Sequence, residues 1–151
     1  FNSANESILT QSEDLKIFNF KDFEVVSKMK PSKSQLNNLI FAFNICRYAK
    51  SNAIVLASQQ ATVGIGSGQP SRLDSCQIAI NKMNKFKNSN EEVVAASDAF
   101  FPFVDGLEKL IQSGVSAVIQ PSGSIMDKEI IKFANQTNTV LVFSKTRHFR
   151  H

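Results

Sequence analysis

Four short apolar runs constrain this chain more than any other feature: Ala53–Ala57, Val93–Ala96, Ser116–Ile119 and Thr139–Phe143. Each reads as a short buried strand, and stretches of helical spacing alternate with them. Leu36, Leu39, Ile40, Phe43 and Arg47 share one helical face behind a Pro31-Ser32 start signal. Leu73, Cys76, Ile78, Ala79, Ile80 and Met83 make a second helix beginning at Ser71, and Gly106–Ser113 and Met126–Asn135 make two more. Ala61–Ile65, set off by a turn at Ser58-Gln59-Gln60, is a further strand, while residues 85–92 read as a polar loop. The order αββαβαβαβ predicts an α/β domain of three layers, with a mostly parallel five-stranded sheet covered by helices on both faces.

Composition allows one ordinary core. With 151 residues, 42% hydrophobic and 20% charged, the chain has the make-up of a soluble globular domain and not of a disordered one. No apolar run approaches bilayer length and no basic-flanked leader opens the chain, so no membrane partner is expected. The chain opens on Phe1 in place of Met, which fits a piece of a longer protein. A net charge of +4 and a pI near 9.2 invite a nucleic-acid reading. The lysines and arginines are scattered, however, with no dense cluster or basic helix face, which argues against nucleic acid. Cys46 and Cys76 stand alone, without a Cys-x-x-Cys pair, as buried thiols of a reducing cytosol would. A cytoplasmic location is expected.

The densest chemistry lies in Ser97-Asp98-Ala99-Phe100-Phe101-Pro102-Phe103, followed by Asp105 and Gly106. Three rings and a proline occupy four consecutive positions between carboxylates. Proline removes a ladder donor, which suits a core strand badly, and a surface loop rarely carries three large rings. The arrangement suits a rigid ring-lined wall with an acid at its rim, able to hold a flat heterocycle by an amino-pyrimidine edge. The alternative is a strand end turning into a helix with its rings in the core. On this stretch alone both stay open.

Four further segments accompany it: Lys50-Ser51-Asn52-Ala53-Ile54-Val55-Leu56-Ala57, Gly64-Ile65-Gly66-Ser67-Gly68-Gln69-Pro70-Ser71-Arg72, Gln120-Pro121-Ser122-Gly123-Ser124 and Arg147-His148-Phe149-Arg150-His151. The Gly64-x-Gly66-x-Gly68 run either serves a tight turn or offers backbone amides to an anion. Its spacing is not the dinucleotide fingerprint, and it lacks the P-loop lysine. His148 and His151 are three apart with no acidic or cysteine partner nearby, so no metal site is expected. In this order the five segments resemble the C-terminal part of the bifunctional purine-biosynthesis family that joins aminoimidazole carboxamide ribonucleotide (AICAR) transformylase to inosine monophosphate cyclohydrolase. The resemblance runs from about Val25 to the last residue.

The resemblance implies a cytidine-deaminase-like subdomain over residues 25–151, preceded by a connector, residues 1–24, from an upstream half. That connector is rich in Asn, Ser and Lys, with Phe18, Phe20 and Phe23 as its apolar points. The deaminases' zinc signature is absent. The implied reaction is formyl transfer from 10-formyltetrahydrofolate to the 5-amine of AICAR, in a homodimer whose sites combine both subunits. Asn52 is implied as the catalytic amide, holding the substrate carboxamide or the formyl oxyanion. Arg72, Phe100, Arg147 and Phe149 are implied on the nucleotide side, with Arg147 at the 5′-phosphate. Phe100, Pro102, Phe103, Asp105 and Ser124 are implied on the folate side, with Asp105 bonding the pteridine amino group. Lys50 reads as solvated. Some members hold a monovalent cation such as potassium, which nothing in these residues places. Val104 stands where the family commonly has arginine, and the family's catalytic Lys-His pair has no counterpart here, so these residues alone are expected to be inactive. Two other classes remain: a nucleotide-binding domain that kept its pockets without the chemistry, and a basic nucleic-acid-binding module.

Overall fold

Helix α1 (Lys33–Cys46) starts at a reciprocal cap. Ser32 Oγ accepts from the Gln35 N–H at 3.0 Å, and Gln35 Oε1 accepts from the Ser32 N–H at 2.9 Å. It belongs to a computed structural model that describes residues 2–4, 7–9, 11–12, 17–86 and 90–146. A small antiparallel hairpin, β1 (Asn2–Ala4) and β2 (Ser7–Leu9), stands apart from the main sheet. The remaining elements are β3 (Phe23–Val25), β4 (Ile54–Ser58), β5 (Ala61–Gly66), α2 (Arg72–Phe86), β6 (Val93–Ser97), α3 (Val104–Gln112), β7 (Val115–Pro121), α4 (Asp127–Gln136) and β8 (Val140–Ser144). Among the described residues no helix is long and apolar enough to cross a membrane.

The main sheet has six strands in the order β3-β8-β7-β6-β4-β5. Strands β6, β7 and β8 run parallel, whereas the β3–β8, β4–β6 and β4–β5 pairs are antiparallel. The expectation of a mostly parallel, five-stranded sheet is therefore corrected to a mixed sheet of six, for two local reasons. Gln59 and Gln60 take φ of 51° and 59°, the left-handed pair whose twist joins two strands as a hairpin. Asn38 Oδ1 pins that turn to α1, accepting from the Gln60 N–H at 2.8 Å and from Gln60 Nε2 at 3.0 Å. The sixth strand, β3, has three residues with Glu24 in the middle, too little apolar sequence to signal a strand. Phe23 and Glu24, at the end of the segment read as a connector, form its first two positions.

Both faces of the sheet are covered. On one, α1 and Phe18 pack over Val55, Val94, Ile119 and Val142, with Phe18 and Phe43 edge to face at 4.8 Å between centroids. On the other, α2, α3 and α4 pack Met83, Leu107, Leu110 and Ile130 over Ile54, Leu56, Val118 and Leu141. Gly64 and Gly66 lie inside β5 and serve neither a turn nor an open amide cradle. A Cβ on Gly66 would collide with the Ser75 carbonyl, because α2 closes directly on the strand there.

Each face also buries one free thiol, Cys46 under α1 and Cys76 in α2. Burial pushes the Cys76 thiol up to about 12 and the Cys46 thiol well above its ordinary value. The folded state thus keeps protons that the unfolded thiols release above about 9.0. Their contribution to stability is complete below that pH and is lost as pH rises toward about 12. Urea midpoints measured at about pH 8 and about pH 10.5 are expected to fall in the wild type and to fall less in Cys46→Ala/Cys76→Ala. Equal falls would show that the thiols are not the titrating groups.

Candidate functional site

Because β4 runs antiparallel to β6, its amino end lies beside the carboxyl end of β6, with Ile54 opposite Ser97. The segment before β4 and the loops entering α2 and α3 therefore meet at one edge of the sheet. Between them lies a cavity of about 500 Å³. Pro70, Leu73 and Phe100–Phe103 give it an apolar wall, and Asn52, Arg72 and Asp105 give it polar groups.

A buried ion pair organises the polar side. Arg72 is 8% exposed and Asp98 1%. Arg72 Nη1 meets Asp98 Oδ1 at 2.5 Å and Ser97 Oγ at 3.0 Å. The same carboxylate accepts from the Ala53 N–H at 3.1 Å and from Ser51 Oγ at 2.6 Å. Arg72 Nη2 donates to Asn52 Oδ1 at 2.8 Å, and Asn52 Nδ2 donates to the carbonyls of Gln69 and Pro70, both at 3.0 Å. Ser75 Oγ holds the Asn52 carbonyl at 2.7 Å, and the Ser51–Asn52 peptide is cis. Both amide hydrogens of Asn52 are committed to backbone, so its spare capacity is a lone pair on Oδ1.

The aromatic stretch divides its rings. Phe101 is core, packed so closely on α3 that a Cβ at Gly106 would lie 2.7 Å from its Cδ1. Phe100 is half-buried and Phe103 is 62% exposed, and both line the cavity. Helix α3 starts at Val104, two residues before the expected Gly106, so Asp105 falls in its first turn, where the helix dipole favours a carboxylate. Asp105 Oδ1 accepts from the Gly106 N–H at 2.8 Å. Val104 itself packs against the core.

The cavity gathers Asn52, Arg72, Phe100, Pro102, Phe103 and Asp105. Ser124 is not among its lining residues. Its Oγ accepts from the Met126 N–H at 3.0 Å in the loop that leads into α4. Arg147 and Phe149 lie outside the described residues, as do His148 and His151. Lys50 is exposed, as its solvated reading requires. Among the described residues no group of three or more His, Cys, Asp and Glu is placed to hold a metal. Asp98 and Ser97 hold Arg72 in place, and the sequence marks them only as the start of the aromatic stretch. Asp98 had a signal: a carboxylate directly ending a buried strand needs a cation, and Arg72 opens the helix that covers it.

Fold and cavity together define an α/β domain with an open cavity where strand ends meet, a polar cluster facing an aromatic wall across it. A sequence model described as AICARFT/IMPCHase bienzyme matches residues 1–82. The chain is 46% identical over 151 residues to the bifunctional purine biosynthesis protein PurH of Bartonella bacilliformis, covering 95% of this chain and 28% of that protein. It is 44% identical over 144 residues to the PurH of Buchnera aphidicola subsp. Baizongia pistaciae, covering 95% and 27%. The chain belongs to the AICARFT/IMPCHase bienzyme family. It spans little more than a quarter of the length of these relatives.

Removing one member of the ion pair strands a buried charge. Asp98→Ala is expected to lose roughly 3–5 kcal/mol in urea unfolding, while the double change Asp98→Leu/Arg72→Met loses clearly less than the two single changes summed. Additive losses would show that the two side chains do not act as a pair.

Proposed function

We propose that this chain carries the ligand-binding part of an AICAR transformylase site, in a longer purine-biosynthesis protein that works as a homodimer. The observation behind it is a single cavity that brings Asn52 and Arg72 together with Phe100, Pro102, Phe103 and Asp105. The domain is then one cytidine-deaminase-like repeat, and residues 1–24 lead into it from the preceding part of that protein.

The 5-amine of AICAR is a poor nucleophile, its lone pair delocalised into the ring and carboxamide. Transfer of the formyl carbon from folate N10 to that amine therefore needs the two substrates in contact, removal of an amine proton and support for a tetrahedral oxyanion. Phe100 and Phe103 provide faces for the flat pteridine, Pro102 stiffens the loop between them, and Asp105 accepts from the pteridine amino group. Asn52, oriented by Arg72, turns the lone pair of Oδ1 toward an N–H of the ribonucleotide. With the Asn52 hydrogens bonded to the carbonyls of Gln69 and Pro70, holding the amine or carboxamide N–H suits it better than donating to the oxyanion. Arg147 at the phosphate and Phe149 beside the nucleotide rest on the family resemblance alone. The 151 residues contain no Lys-His dipeptide, so the proton transfer belongs to groups elsewhere in the longer protein.

In the full-length polypeptide, tetrahydrofolate release from 10-formyltetrahydrofolate and AICAR is expected, with kcat down on the order of a hundredfold in Asn52→Ala, the cost of misplacing the attacking amine. Asp105→Ala is expected to raise the folate KM about tenfold or more, the worth of a hydrogen bond to a charged group. The 151-residue chain alone is expected to give no turnover. A folded full-length protein that binds AICAR but releases no tetrahydrofolate would leave the non-catalytic nucleotide-binding domain standing.

A further inference from the structure

Gln120 is fully buried at the carboxyl end of β7, one residue past the Ile119–Ala96 pair and opposite Phe143 of β8. Its amide is half used. Oε1 accepts from the Phe101 N–H at 3.3 Å, while Nε2 is buried with no hydrogen-bond partner among the described residues. Turning the amide over is no remedy, since that would set N–H against N–H at Phe101. An unpartnered buried donor costs stability, and an apolar side chain of the same length would fit this core without it. The amide therefore serves its one bond.

That bond reaches the middle of the aromatic wall. Pro102 has no N–H, and among the described residues the Phe101 amide is where the backbone of Phe100–Phe103 is tied to a neighbouring strand. Phe101 faces the core, Phe100 and Phe103 face the cavity, and all three ride on this short segment. We propose that Gln120 is a positioning residue for heterocycle binding: by holding the Phe101 backbone, it sets the depth at which Phe100 and Phe103 present their rings. The ligand named here, a folate pteridine, rests on the transformylase reading. The anchoring of the wall does not.

The test uses Gln120→Met, which keeps length and loses the acceptor, and Gln120→Glu, which keeps an acceptor. In the ligand-free chain, Phe101 amide exchange is expected to speed up about three- to tenfold in Gln120→Met and to stay near wild type in Gln120→Glu. In the full-length polypeptide, Gln120→Met is expected to raise the KM for 10-formyltetrahydrofolate, and the Kd for the stable analogue 5-formyltetrahydrofolate, about three- to tenfold. The KM for AICAR is expected to change less than about twofold, and Gln120→Glu to recover most of the folate affinity. Equal loss for both substrates, tracking a lower melting temperature, would reduce Gln120 to a core residue and overturn the proposal. Unchanged Phe101 exchange would overturn it too. If wild type shows no turnover, the transformylase reading fails, and amide exchange together with 5-formyltetrahydrofolate binding still decides the role of Gln120.

Discussion

A guanidinium and a carboxylate held out of water tie together the parts of this domain that matter for its site. Arg72 opens α2, Asp98 follows β6, and the Asp98 carboxylate also takes the Ala53 N–H just before β4. Leaving water is costly for both ions, and the contact repays it only with good geometry and further hydrogen bonds. Ser51, Ala53 and Ser97 supply those bonds. With its charge met by Asp98, Arg72 is less a free anion grip than a fixed donor that sets the Asn52 amide. One electrostatic contact thereby fixes three chain segments and the orientation of a neutral side chain beside the cavity.

The mixed sheet matters for the same reason. Asn52 precedes β4, while the ring-bearing loop follows β6. In a wholly parallel sheet, residues before one strand and after another lie at opposite edges. The antiparallel pairing of β4 with β6 brings them to the same edge. A parallel β4–β6 pair would thus have separated the very residues that the family resemblance groups into one site. A turn of two glutamines, neither of them a usual left-handed residue, then returns the chain to that edge with Arg72, with the help of Asn38.

What was legible in the sequence followed from strong local signals. Helix α1 shows its Pro31-Ser32 start and its apolar face, and the buried strands show continuous apolar runs. Strand β3 was not legible, since three residues around Glu24 gain their place from pairing with β8 and not from their own pattern. Gly64 and Gly66 resembled loop glycines because a helix pressed against a strand leaves no mark on local spacing. Asn52, Arg72 and the Phe100–Asp105 segment share a cavity, whereas Ser124 caps a loop outside it. Gln120 was quoted only as the start of the Pro-Ser-Gly-Ser segment. Its link to Phe101 spans nineteen residues and depends on the ends of β6 and β7 being neighbours.

The aromatic wall shows why a loop and not a strand carries these rings. In a strand, successive side chains alternate between faces, and a proline in a central one would break the ladder. Released from pairing, Phe100–Phe103 can place one ring in the core and turn two toward the cavity, with Pro102 limiting the segment's freedom. Exposed rings gain nothing from burial until a ligand or another surface covers them, so the loop needs its own restraints. The Phe101 ring against Gly106 and the Phe101 amide on Gln120 supply two, from α3 and from β7. The two less buried rings are thus held through the buried one, which restrains the wall while leaving those rings open to the cavity.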